Sequence, residues 1–233
     1  MVIAIILMSI AVLLMAYFLY ERIKGYSVKA TIIKALVSLL FISVASISFI
    51  YKGYRILSVF VILGGLLGLL GDIWLEQKCV YKEDDKIYTY AGFIAFGVGH
   101  ILYITGMFLE FYHDGNALNF VIPLLVSIAF AFIVLFMEKP LKLKYGNLKW
   151  IVFLYSVLLA ANASCSMSLL ILNQFQPVGL IILFIGGVSF IISDLILSGT
   201  YFGIGKDRPI DSILNISVYY ISQFLIAFSL FFI

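Results

Sequence analysis

Charge, cysteine, histidine and proline are all scarce in this chain. Of 233 residues, 12% are Asp, Glu, Lys or Arg, against about 25% in an ordinary soluble domain. Fifteen basic against twelve acidic residues leave a net charge of +3, too little to hold a nucleic acid by its phosphates. There are two cysteines and two histidines. Cys79 falls in a charged stretch and Cys165 deep in an apolar run, with no CxxC and no Cys/His cluster. That excludes a disulfide framework and a zinc site of the usual spacing, and no metal or cofactor is expected. What remains is 64% hydrophobic with a mean hydropathy of +1.16. A soluble core cannot hide so much Leu, Ile, Val and Phe, so lipid is the solvent for most of the chain.

A membrane helix needs about 20 largely apolar residues. Eight such runs are present: Met1–Tyr20, Lys29–Ile50, Ile56–Glu76, Tyr88–Phe111, Leu118–Met137, Leu148–Leu172, Val178–Ser198 and Asp211–Ile233. Polar or turn-forming breaks separate them, among them 21–25, 82–86, 113–116 and 205–209. Run length and the lack of in/out alternation predict helices rather than barrel strands. The first run has no basic region before it and is expected to be a span rather than a cleaved signal. The fold class expected is therefore all-α: a polytopic membrane protein of eight transmembrane helices, a single integral domain over 1–233.

Orientation follows the Lys/Arg bias. Loops one, three, five and seven carry twelve cations: Arg22, Lys24, Lys29, Lys78, Lys82, Lys86, Lys139, Lys142, Lys144, Lys149, Lys206 and Arg208. The other loops and the termini carry Lys52 and Arg55. This split puts both termini outside and the odd loops in the cytoplasm, in the plasma membrane.

Gly64-Gly65 precedes Gly71-Asp72-Ile73-Trp74-Leu75, and Gly186-Gly187 precedes Ser193-Asp194-Leu195-Ile196-Leu197, at a constant offset of 122 residues. Four spans separate the two segments, so the halves, about 1–111 and 118–233, are expected to be parallel four-helix repeats. That arrangement would set Asp72 and Asp194 facing each other.

An ionisable group in mid-membrane costs on the order of 2.5–3.5 kcal/mol and needs a reason to be there. The candidates are Lys34, Asp72, His100 with Tyr103, Asp194, and Tyr219, Tyr220 and Gln223. Counted from the cytoplasmic boundary at about 1.5 Å per residue, they fall in the cytoplasmic half. One polar pocket opening to that leaflet would gather them. His100 and Tyr103 share a helix face, as do Tyr219 and Gln223. Gly64 and Gly68 read more simply as packing residues, Tyr88 and Tyr90 as interfacial aromatics, and Asn162 as interhelical glue. Lys34 could instead snorkel to the headgroups.

Two stretches resemble the signatures of a known family. Leu70-Gly71-Asp72-Ile73-Trp74-Leu75, followed by Gly92-Phe93-Ile94-Ala95-Phe96 and His100-Ile101-Leu102-Tyr103, resembles the first signature of the YhhN family, which includes the lysoplasmalogenases. Ile192-Ser193-Asp194-Leu195-Ile196-Leu197, with Tyr219-Tyr220-Ile221-Ser222-Gln223-Phe224-Leu225-Ile226, resembles the second. Lys34 matches a lysine that the family usually follows with proline; here Ala35 follows. The resemblance implies hydrolysis of the vinyl ether of a lysoplasmalogen to a fatty aldehyde and a glycerophospho-base. Such a bond is cleaved by protonating its β-carbon and adding water to the oxocarbenium ion, work for paired carboxylates. Asp72 and Asp194 are then the expected acid/base pair, with His100 orienting or sharing the proton. Tyr103, Tyr219, Tyr220 and Gln223 would bind substrate oxygens, and Lys34 would sit near the phosphate.

The partners expected are a lysophospholipid substrate, bilayer lipids and a second copy of the chain in a homodimer, with no nucleic acid. A small proton-coupled transporter and a non-catalytic lipid-binding protein are the competing readings. The transporter would want polar groups lining both leaflets and helices broken near the midplane.

Overall fold

Eight long helices carry almost the whole chain in the computed structural model, which describes residues 1–203 and 208–233. They are α1 Val2–Lys24, α2 Val28–Lys52, α3 Ile56–Val80, α4 Asp85–Phe111, α5 Leu118–Phe136, α6 Lys149–Leu172, α7 Val178–Phe202 and α8 Pro209–Ser229. All eight are long and apolar enough to span a membrane, so this is an all-α, multi-pass membrane protein. Its helices turn many large apolar side chains outward, Leu13, Ile50 and Leu125 among them. In lipid that exposure costs nothing, because the acyl chains are as apolar as leucine.

The expected breaks fall short of the real ones on several spans. α1 runs on to Lys24, α3 to Val80, taking in Cys79, and α7 to Phe202. Charged residues end a hydropathy run but not a helix: Glu, Lys and Arg are good helix formers, and the backbone ladder continues through them. What stops α1 and α2 is Gly25 at φ 149° and Gly53 at φ 84°, conformations that a side chain would resist. Ser27 then caps α2, its hydroxyl accepting from the Ala30 amide at 3.2 Å. In the seventh loop Gly205, Lys206 and Asp207 lie outside the described residues, so the helix α8 is followed from Arg208, which pairs with Asp211 at 2.7 and 2.9 Å.

The chain divides into two units, 1–106 and 107–233. In the first, α1 packs on α2 and α2 on α3. Ala4, Ala11 and Phe18, spaced by seven, are the only buried residues of α1, a single seam against its neighbour with lipid elsewhere. α3 and α4 pack antiparallel through glycines. A methyl group at Gly71 would meet the Phe96 ring at 2.6 Å, and one at Gly99 would sit 3.1 Å from the Gly64 carbonyl. Small residues thus bring the two backbones close, the usual device where no water drives helices together.

The second unit is built on α5–α6, α6–α7 and α7–α8 neighbours. Asn215 on α8 donates to the Ser193 carbonyl (2.8 Å) and hydroxyl (3.0 Å) of α7. Ser222 donates to the Gly186 carbonyl at 2.8 Å. Pro123 lies inside α5 and has no N–H for the Asn119 carbonyl. Ser168 of α6 donates to that carbonyl instead, at 3.1 Å. The loop after α5 is tied to the end of α7: Lys144 N–H donates to the Phe202 carbonyl at 2.8 Å.

Candidate functional site

Within the first unit, α1, α2 and α3 bring four charges together. Asp72 on α3 is 2% exposed. One of its oxygens accepts from the Ser38 hydroxyl of α2 at 2.6 Å, and the other lies 3.4 Å from the Lys34 ammonium. Ser38 stands one turn after Lys34, so a single α2 face presents both partners. The same ammonium lies 3.6 Å from Glu76, one turn on from Asp72. Glu76 in turn meets Arg22 of α1 at 2.7 Å, and the Arg22 guanidinium stacks over Tyr26 at 3.3 Å from the ring centroid. Two cations balance two anions in a nearly dry setting, which is the condition under which buried charges persist.

Lys34 therefore does not spend its length reaching headgroup water. Its ammonium is shared by two carboxylates and faces the Phe18 ring of α1 at 6.0 Å. A phosphate at this point would compete with Asp72 and Glu76. His100 on α4 is 1% exposed and meets Tyr103 edge-on at 6.2 Å between centroids. The α3–α4 register sets His100 opposite Gly64–Leu67, roughly 8–12 Å along the helix from Asp72. Tyr103 is buried against Gly64 and lies within electrostatic reach of Asp72.

In the second unit Asp194 is half-buried on α7 and accepts a short hydrogen bond from the Tyr155 hydroxyl of α6. Tyr219, Tyr220 and Gln223 are all buried on α8. The Gln223 amide donates to the Tyr219 hydroxyl at 3.3 Å, and Tyr219 packs edge-on against Phe190 of α7. Asp72 belongs to the first unit and Asp194 to the second. Each is held by a hydroxyl donated from the preceding helix.

Four residues at these positions escaped the sequence reading. Glu76 reads as the end of a span, yet it is one helical turn from Asp72 and 3% exposed. Arg22 reads as a loop cation, but its side chain is only 11% exposed. Its signal is the step of four from Phe18, the last residue of the α1 seam. Ser38 carries the same step from Lys34. Tyr155 has no local signal, since its tie to Asp194 is made only by the packing of α6 on α7. Among the described residues, no group of three or more His, Cys, Asp or Glu side chains could hold a metal ion.

The polar loop between α5 and α6 makes its own small network. Glu138 accepts from Lys149 at 2.8 Å and from the Tyr145 amide at 3.1 Å. The lysine beside it holds the Glu138 carboxyl below its ordinary value. Burial pushes the Tyr145 phenol up.

The model of the YhhN family matches residues 29–230. The chain belongs to the YhhN family. The matched stretch contains Lys34, Ser38, Asp72, Glu76, His100, Tyr155, Asp194 and Gln223, and leaves out all of α1, with Arg22. No curated protein and no solved structure matches the chain.

Proposed function

We propose that this YhhN-family protein is a membrane ether hydrolase that cleaves the vinyl ether of lysoplasmalogens, yielding a fatty aldehyde and a glycerophospho-base. The observation that carries the reading is Asp72: a carboxylate buried in a membrane helix, held by Lys34 and Ser38, inside the family's matched segment. Such a group has no place in a lipid-facing span without a task.

Asp194 is the proton donor and Asp72 the base. Asp194 protonates the β-carbon of the vinyl ether, and the electrons of the double bond form the new C–H bond. The oxocarbenium ion left behind needs a carboxylate to balance its charge, and that role is assigned to Asp72. Asp72 takes a proton from water as the water oxygen bonds to the cationic carbon. The hemiacetal then collapses: Asp72 returns its proton to the glyceryl oxygen while Asp194 recovers one from the hemiacetal hydroxyl. Both carboxyls end as they began. Ser38 fixes the rotamer of Asp72, and the Lys34 ammonium pairs with it. Positioned acid–base groups of this kind typically supply about 10²–10⁴-fold each. The site opens to the cytoplasmic leaflet, with both termini outside.

The test incubates the purified protein with lysoplasmalogen in ¹⁸O-water. Labelled free aldehyde is expected, with Asp72→Asn and Asp194→Asn each lowering turnover at least 10²-fold. Full activity in both variants would remove the aspartates from the mechanism. Uptake of a solute into proteoliposomes without any turnover would favour the transporter.

A further inference from the structure

An apolar groove of about 510 Å³ runs between α5, α6 and α7 of the second unit. Its upper rim holds Asn116, Asn119 and Ser168, and its far end is lined by Phe130, Ala160 and Ile191. We propose that this groove holds the hydrocarbon chain of the lysophospholipid substrate, with the reactive end of the chain toward Asp194; this rests on the hydrolase reading above.

Three features of the groove support a hydrocarbon occupant. First, between the asparagines at its rim and its far end the wall offers no free polar group. Ser164 shares hydrogen bonds with Ser127 (3.0 Å) and the Pro123 carbonyl (3.2 Å), and Ser168 is spent on Asn119. No charged residue lines it. Below the rim a headgroup has nothing to bind, and a methylene chain needs nothing. Second, the groove ends near the chemistry. Ile191 stands three residues before Asp194 on α7, and on the facing helix Ala160 is five residues from Tyr155. The carboxyl is thus about one helical turn, roughly 5 Å, beyond the end of the groove. Third, charge is placed for the other end of such a lipid. The α5–α6 loop bears Lys139, Lys142 and Lys144, and it is pinned to the end of α7 beyond Asp194 by the Lys144–Phe202 backbone bond. A phosphate there would meet cations while the chain ran the opposite way into the groove.

Length sets a limit that can be measured. From Asn119 to Phe130 the groove follows eleven residues of α5, about 16 Å. At about 1.2 Å per single bond, the pitch of an extended backbone, that accommodates roughly thirteen bonds. Pro123 and the small Ala160, Ala163 and Ser164 are what keep it open.

The probe is a lysophosphatidylcholine carrying a diazirine at its chain terminus, photolysed with the full chain in nanodiscs and mapped by peptide mass spectrometry. Label is expected on α5 and α6 near Ile122, Pro123 and Met167. Val126→Trp, on the groove wall and half exposed, should cut that label at least tenfold and shift lysoplasmalogen turnover toward shorter chains. Leu125→Trp, exposed but outside the wall, should change neither. Label on helices other than α5, α6 and α7, or label unaffected by Val126→Trp, overturns the groove. Normal labelling with no turnover of any lysoplasmalogen would leave the groove a chain-binding site and sink the hydrolase reading. Turnover with the label elsewhere would do the reverse.

Discussion

The Arg22–Glu76 pair makes a stability prediction with a built-in asymmetry. At 2.7 Å and an effective dielectric of 20, the gross attraction between them is about 6 kcal/mol. For Lys34 with Asp72 at 3.4 Å and with Glu76 at 3.6 Å it is about 5 kcal/mol each. Desolvation offsets most of this, so the pair as a whole adds little; deleting one partner leaves a buried charge uncompensated and costs about 3–5 kcal/mol. The two deletions are not equivalent. Arg22→Met leaves Glu76 beside Lys34, and a surplus carboxylate can take up a proton. Glu76→Met leaves a guanidinium that cannot discard its charge, beside Lys34 with only Asp72 to share. Glu76→Met is therefore expected at the upper end of the range and Arg22→Met at the lower end. The Arg22→Met/Glu76→Met double variant should recover most of the loss, because an apolar replacement of both is often neutral. The assay is reversible unfolding in mixed micelles, followed by the fluorescence of Trp74, two residues from Glu76 on α3. Losses that simply add in the double variant, or a costlier Arg22→Met, would refute the reasoning.

Gly71→Val should destabilise by about 1–3 kcal/mol, since its Cβ would sit 2.6 Å from the Phe96 ring and force α4 away from α3; Gly199→Val, with open space around it, is the control, both read by midpoint in the same micelle titration. The α5–α6 loop should loosen in acid. Glu138 has its carboxyl lowered by Lys149, so its contribution is present above its ordinary value of about 4.5 and is lost as the pH falls through the lowered one. Hydrogen exchange at the Tyr145 amide, which donates to Glu138, should be less protected below that point than at pH 7, with Glu138→Ala unprotected at both.

The helices were legible because each apolar run is long enough to demand one and the lipid allows nothing else. Their ends were not. Hydropathy records where a residue stops liking hydrocarbon, and Glu21, Arg22, Lys24 and Lys78 do so while still inside a helix. Asp72 and Lys34 stood out for the opposite reason, as charges inside apolar runs, and they do meet. Glu76 and Arg22 were hidden by their own neighbourhood: a charge beside other charges at the end of a run reads as a loop, and only the helix period shows that Glu76 shares a face with Asp72. Ser38 and Tyr155 are ordinary in any span. Nothing short of helix packing distinguishes a serine donating to Asp72 from one donating to its own backbone, as Ser43 and Ser46 do.

The paired glycines show how the two units compare. In α3 the first, Gly64, receives Tyr103 of the following helix, and the second, Gly65, receives Phe41 and Ile42 of the preceding one. In α7 the first, Gly186, receives Ile226 of the following helix at 2.9 Å, and the second, Gly187, receives Ala163 of the preceding one at 3.2 Å. The third helix of each unit thus uses its two glycines in the same order for the same neighbours. Tyr103 and Ile226 then occupy matching places, which makes Gln223 the counterpart of His100. Each aspartate also takes a hydroxyl from the preceding helix, Ser38 or Tyr155. The charge does not follow the scaffold. Glu76 has Ser198 as its counterpart, and beyond Lys149 no Lys or Arg occurs in α6 or α7. A shared packing scheme therefore carries an ion-paired carboxylate in one unit and a tyrosine-held one in the other, beside an apolar groove.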